Sequence, residues 1–156
     1  MLVETRKQNY YIISTLICVT IASFSFIPAD NPDAIVGTWL TGGKNGKIQI
    51  YKEGHKYCGK LVWMDMPNDP QTKRPKVDNN NPDPQKRNQP LLGLELLRDF
   101  RYDGENVWDS GKIYDPESGK VYSCKMTLRG NNTLEVRGYV GISLIGRTET
   151  WQRVKQ

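Results

Sequence analysis

The sequence has 156 residues, of which 37% are hydrophobic, 25% charged and 10% aromatic, with 14 glycines and a formal net charge of +5. That length suits one domain of ordinary size. The composition excludes global disorder, a collagen repeat and a coiled coil.

At the N-terminus Arg6 and Lys7 precede an apolar run of about 17 residues from Tyr11 to Ile27. A basic start followed by an apolar run is the pattern of a secretory signal peptide, and the run sits at the lower limit of a membrane span. Small residues at Ser23 and Ser25 place cleavage after Ser25, with cleavage after Ala29 as the alternative. Residues 1–29 are therefore read as the signal peptide and 30–156 as one mature domain, periplasmic or secreted, with no membrane span after cleavage. An uncleaved anchor and a lipid-modified Cys18 are the other readings; against the second, Ile17 stands where a lipobox needs a small residue. The mature part holds 20 Lys plus Arg and 16 Asp plus Glu. Its densest basic stretches, Lys73-Arg74-Pro75-Lys76 and Lys86-Arg87, read as solvated loop. A nucleic-acid groove needs a longer basic stripe interleaved with aromatics, so nucleic acid is not an expected partner.

From Ala34 onward, short runs of β-type recur between turn residues. They fall near Ala34–Leu40, Gly46–Lys52, His55–Met64, Leu94–Tyr102, Asn106–Tyr114, Lys120–Leu128, Thr133–Val140 and Ile145–Val154. Breaks such as Glu53-Gly54, Asp103-Gly104-Glu105 and Gly130-Asn131-Asn132 tolerate tight turns, which make neighbouring strands antiparallel. Tyr122, Cys124, Met126 and Leu128 share one face, and Leu134, Val136 and Val140 oppose Glu135 and Arg137. One dry and one wet face is the antiparallel pattern. The best helical candidate is Leu91–Phe100, weakened by Gly93. Asp65 to Pro90 is a long segment rich in Pro, Asn and Asp, of the kind that is functional or mobile inside a compact domain. The fold class expected is all-β: an antiparallel up-and-down barrel of about eight strands, which removes exposed edges and either fills with side chains or holds one small ligand.

Several strings carry a resemblance: Ile35-Val36-Gly37-Thr38-Trp39, Tyr57-Cys58-Gly59-Lys60-Leu61-Val62-Trp63, Asn81-Pro82-Asp83-Pro84, Pro90-Leu91-Leu92-Gly93-Leu94, Val107-Trp108 with Gly111-Lys112-Ile113-Tyr114-Asp115-Pro116, Leu134-Glu135-Val136-Arg137-Gly138-Tyr139 and Gly146-Arg147-Thr148-Glu149-Thr150-Trp151. Over nearly all of the mature region the chain resembles the exported bacterial family of domain of unknown function 2147. The resemblance implies a small periplasmic or secreted barrel related in shape to lipocalins, and no agreed enzymatic role. Gly37-Thr38-Trp39 is also similar to the Gly-x-Trp that opens lipocalin barrels. There an Arg on the last strand packs over the Trp and closes the barrel; Arg147 or Arg153 takes that role here, and strand parity does not choose between them. The chain departs from fatty-acid-binding relatives, which place two helices after the first strand; here the long insertion follows the third.

Two cysteines remain after signal removal, Cys58 and Cys124. An even count in an oxidising compartment suggests a disulfide. They lie on the third and sixth strands, which are not neighbours in a simple barrel, so the alternatives are a flattened barrel, another strand order, or two buried thiols. His55, three residues before Cys58, invites a Cys–His dyad or a metal site but falls at a hairpin tip. Asp78-Asn79-Asn80-Asn81-Pro82-Asp83 lacks the glycine and the bidentate Glu of a calcium loop. No catalytic residue, metal or cofactor is assigned.

The expected function is a non-catalytic binding protein for a small apolar or amphipathic ligand. The alternative is an envelope structural or interaction protein with a filled barrel and an envelope partner, and a third is an enzyme acting at the mouth. Expected ligand-binding residues are Ile48, Ile50, Trp108, Tyr122, Met126, Leu134 and Val136, with Trp108 the aromatic wall. Trp39 is expected to close the floor under Arg147 or Arg153, and the segment from Pro67 to Pro90 to border the mouth as a lid.

Overall fold

A computed structural model describes residues 30–142 and 144–155. The expected signal peptide and its cleavage site lie outside the described residues. Eight strands follow one another: β1 Gly37–Leu40, β2 Gly46–Glu53, β3 Lys56–Met64, β4 Glu95–Gly104, β5 Val107–Asp115, β6 Lys120–Arg129, β7 Thr133–Tyr139 and β8 Gly146–Arg153. Each pairs antiparallel with the next, and β8 returns to β1 through Trp39↔Arg153 and Leu40↔Gln152, so the barrel is closed. The all-β, eight-stranded, up-and-down expectation holds. The Leu91–Phe100 stretch is not helical: β4 takes it over from Glu95, and an irregularity at Asp99 (φ 63°) lets Leu97 and Phe100, three residues apart, both face inward. The first strand begins later than expected. Asn31 caps a short 3-10 turn, Pro32–Ile35, accepting the Asp33 N–H on its side chain, with Pro32 preset for the first turn.

The alternation read from the sequence becomes the wall of the barrel. Ile48 and Ile50 lie opposite Leu61 and Gly59; Trp108 and Gly111 lie opposite Met126 and Cys124; Met126 and Leu128 lie opposite Val136 and Leu134. Directly paired residues share a face, and these form one core with Ile35, Trp39, Phe100 and Trp151. Phe100 lies flat on Gly111, where a Cβ would come within 2.3 Å of its ring, so glycine is the residue that fits.

The two ends of the barrel differ. At one end are the short turns after β2, β4 and β6 and the Pro32–Ile35 turn, which plugs it with Ile35 at 0% exposure. At the other are the connections after β1, β3, β5 and β7, including the long segment between β3 and β4. These are called the floor and the open end.

The expected disulfide is corrected: Cys58 and Cys124 are both buried free thiols. Register gives the reason. Cys58 pairs with Tyr51, whose Oη reaches outward to Glu95 (2.8 Å), whereas Cys124 pairs with the inward Gly111. The two sulfurs therefore sit on opposite faces of the wall, on strands separated by β4 and β5, and no bridge can join them. Burial pushes the Cys124 thiol up to about 12 and raises that of Cys58.

Candidate functional site

At the floor, the side chains are spoken for. Arg153 on β8 places its guanidinium 4.2 Å from the centre of the Trp39 ring. It also donates to the carbonyls of Val36 (3.0 Å), Ala34 (2.5 Å) and Asn131 (2.7 Å). Of the two arginines left open by parity, Arg153 makes this contact. Arg147 stands at the opposite end with its side chain 87% exposed. Trp39 Nε1 donates to the Ile35 carbonyl and Trp108 Nε1 to that of Pro32 (2.8 and 3.0 Å). Trp108 packs edge-on against Tyr57 and tilted against Tyr102, so it belongs to the floor. His55 is exposed on the β2–β3 turn, also at the floor.

Ile48, Ile50, Met126 and Leu134 are at most 1% exposed and pack into the solid lower barrel with Trp108. Tyr122 and Val136 are different, because both reach a cleft of about 560 Å³ in the upper wall. The same alternation that points Tyr122 inward brings in its partner Ile113, and the Val136↔Glu149 and Gly138↔Arg147 pairs add the opposite side. Tyr139, Val140, Ile145 and Trp151 also line it, and Tyr114, Asp115 and Pro116 form the β5 end. Gly138 keeps the cleft open: its missing Cβ would have its nearest neighbour, Ile113 Cγ2, only at 3.6 Å. The walls are mainly aliphatic and aromatic, with two carboxylates, Asp115 and Glu149, and the Arg147 guanidinium among them. Glu149 Oε2 accepts from Trp151 Nε1 (3.3 Å), and Arg147 Nη2 lies 3.8 Å from Oε1 at the rim. Such a site can bury an apolar body and receive one hydrogen-bond donor on Glu149.

The segment 65–90 borders this end. It is ordered by its own polar groups: Asp69 Oδ1 accepts from the N–H groups of Gln71 and Thr72, and isolated bridges join Asn68 to Pro75 and Val77 to Pro90. Asp78, fully buried, accepts from Tyr114 Oη and Asn81 Nδ2, both at 2.7 Å. Tyr114 points outward from β5, so this contact docks the segment on the outside of the barrel, and burial, together with the neighbouring Asp78 carboxylate, pushes the phenol up to about 12. Asn80 Nδ2 then donates to the carbonyls of Pro116 and Glu117 (3.3 and 2.8 Å) in the β5–β6 turn. These contacts dock the segment on β5, where it borders the mouth as its composition suggested. Between it and the barrel rim lies a more polar groove of about 930 Å³, which shares Pro116 with the cleft. Among the described residues, no three of His, Cys, Asp and Glu gather as a metal site.

Reasoning from the sequence missed Glu149, Gly138, Ile113 and Trp151 as cleft residues. A signal existed for two of them: Arg147, Glu149, Trp151 and Arg153 share strand parity, so a face that carries Trp151 inward carries Glu149 inward too.

A closed antiparallel barrel, plugged at one end and open at the other, with an Arg on the last strand over a Trp on the first, is a lipocalin-like fold. Consistent with this, the fold is similar to that of protein HP1028 from Helicobacter pylori, described as belonging to the lipocalin family, with a TM-score of 0.67, 22% identity, and coverage of 77% of this chain and 82% of that one. The chain belongs to the family described as uncharacterized protein conserved in bacteria, domain of unknown function 2147, whose sequence profile matches residues 37–153. No curated protein matches the sequence significantly.

Proposed function

We propose that the protein is an exported, non-catalytic binding protein for a small apolar or amphipathic ligand, held at the open end of the barrel. The observation that carries this reading is the cleft of about 560 Å³ between β5 and β8, lined by Ile113, Tyr122, Val136 and Trp151 around the Glu149 carboxylate. Its volume lies in the range of small-ligand sites. Glu149 and Asp115 accept and do not donate, so a hydroxyl, amide or amine on the ligand finds a partner on them.

The solid lower barrel favours a second reading, an envelope structural or interaction protein without a ligand. A titration separates the two. Trp151 lies in the cleft, so its fluorescence reports occupancy by a hydrophobic amine or alcohol probe. The first reading expects a saturable change in wild type that Gly138→Leu abolishes, since a Cβ fits there at ordinary contact distance from Ile113 and Tyr122 and the rest of the leucine fills the cleft. No saturable change in wild type with any apolar probe would transfer the protein to the second reading.

A further inference from the structure

The exposed apolar side chains are not scattered. Among the described residues, nine of the ten exposed large hydrophobic side chains lie at or near the open end, and Val36 alone lies at the floor. Four of the nine crowd the β7–β8 turn: Val140, Ile142, Leu144 and Ile145, with exposures of 66, 60, 83 and 68%. Val140 and Ile145 also line the cleft, but Ile142 and Leu144 do not. Two aliphatic side chains thus stand in water on a projecting turn with no part in the cleft, where a soluble protein gains nothing from them.

Cations accompany this apolar surface. Arg137 Nη2 donates to the Leu144 carbonyl (3.2 Å) and Nη1 to Thr148 Oγ1 (2.8 Å), which fixes a guanidinium beside the tip. Arg147 follows Ile145 by two residues and is largely exposed. On the far side of the rim Lys47 Nζ lies 4.9 Å from the Trp63 ring, and exposed Lys120 adjoins exposed Val121. Aliphatic side chains 60–83% exposed around one turn, cations set beside them, and a Trp–Lys pair at the rim match a phospholipid surface. Aliphatic tips enter the acyl boundary, cations meet the phosphates, and the indole sits at headgroup level. A second copy packed on the same tip would bring Arg137 and Arg147 against their own counterparts, like charge against like.

We propose that the open end docks on the surface of an anionic phospholipid bilayer, with Ile142 and Leu144 inserted below the headgroups and the mouth of the cleft turned toward the lipid. This goes beyond ligand binding and does not depend on it. The test is cosedimentation of the purified protein with vesicles of phosphatidylcholine containing phosphatidylglycerol, compared with phosphatidylcholine alone. Wild type should bind the anionic vesicles, more weakly as salt rises. Ile142→Ser with Leu144→Ser should weaken binding by about tenfold per residue, the factor expected for burying an aliphatic side chain. Neither residue lines the cleft, so probe titration of the double variant should match wild type. Gly138→Leu should lose the probe and keep the vesicles. Equal vesicle binding by wild type and the double variant, or no binding by wild type, would overturn the proposal. So would a dimer in sedimentation velocity that the double variant dissolves while vesicle binding stays unchanged, which would make the tip a contact between copies.

Discussion

Replacing Arg153 by Ala removes the closure of the barrel floor, and the structure sets the size of the effect. The guanidinium donates to three carbonyls at 2.5, 2.7 and 3.0 Å and stacks 4.2 Å from the Trp39 ring centre. The site is half-buried, so water reaches part of the vacated surface, and each lost hydrogen bond counts at the low end of its range, about 1 kcal/mol. The cation–π contact adds about 1 kcal/mol. Arg153→Ala should therefore lose about 3–4 kcal/mol of stability, which for a domain of this size lowers Tm by about 10–15 °C. Arg153→Lys keeps the charge and one donor and should lose about 2 kcal/mol. The assay is urea unfolding followed by tryptophan fluorescence and far-UV circular dichroism. Arg147→Ala is the internal control, because that side chain is 87% exposed and its 3.8 Å ion pair contributes little. If Arg153→Ala shifted the midpoint no more than Arg147→Ala, the assignment of barrel closure to Arg153 would be wrong.

Tyr114→Phe leaves the buried Asp78 carboxylate without one of its two donors and should cost about 2 kcal/mol in urea unfolding; limited proteolysis between residues 65 and 90 should accelerate, since that contact docks the segment. Gly111→Ala drives a methyl into the Phe100 ring and should cost about 3 kcal/mol, read as a fall in Tm. Both thiols should resist an aromatic disulfide reagent in the native protein at pH 8 and react in urea, and the intact mass should show no two-proton deficit. Tyr114 and Cys124 are held neutral in the fold with values raised to about 12, so their contribution is complete below the unfolded values near 10 and 9 and is lost as pH climbs toward 12. Stability measured by urea midpoint should accordingly fall between about pH 9 and pH 12 and be flat over the neutral range with respect to these groups.

The barrel was legible because its strands obey a period of two and their turns are short. Ile48, Ile50, Met126, Leu134 and Val136 could be assigned to the dry face from alternation alone. Register was not legible, and register decides three things. It brings Arg153, rather than Arg147, opposite Trp39. It puts Cys58 on the outer face, which the string from Tyr57 to Trp63 conceals: the inward position between Tyr57 and Leu61 is Gly59, where a Cβ would lie 2.9 Å from Leu97 and 3.0 Å from Ile48. It also sets depth. Alternation says that Trp108 and Tyr122 both point inward, but their strand positions put Trp108 on the floor and Tyr122 in the cleft. Glu149 escaped notice because a pattern search for a dry face discards a carboxylate, although its parity with Trp151 points it to the same face. The docking of the 65–90 segment rests on Asp78 and Tyr114, which are 36 residues apart and carry no shared local pattern.

Native mass spectrometry of the protein purified from its own host, beside Gly138→Leu prepared in the same way, tests the claim that the open end is a ligand site. The account predicts one discrete added mass on wild type that is shed on denaturation and absent from Gly138→Leu, with a donor group such as a hydroxyl or amine in the released compound. A bare polypeptide mass for both proteins, or the same added mass on both, would contradict it.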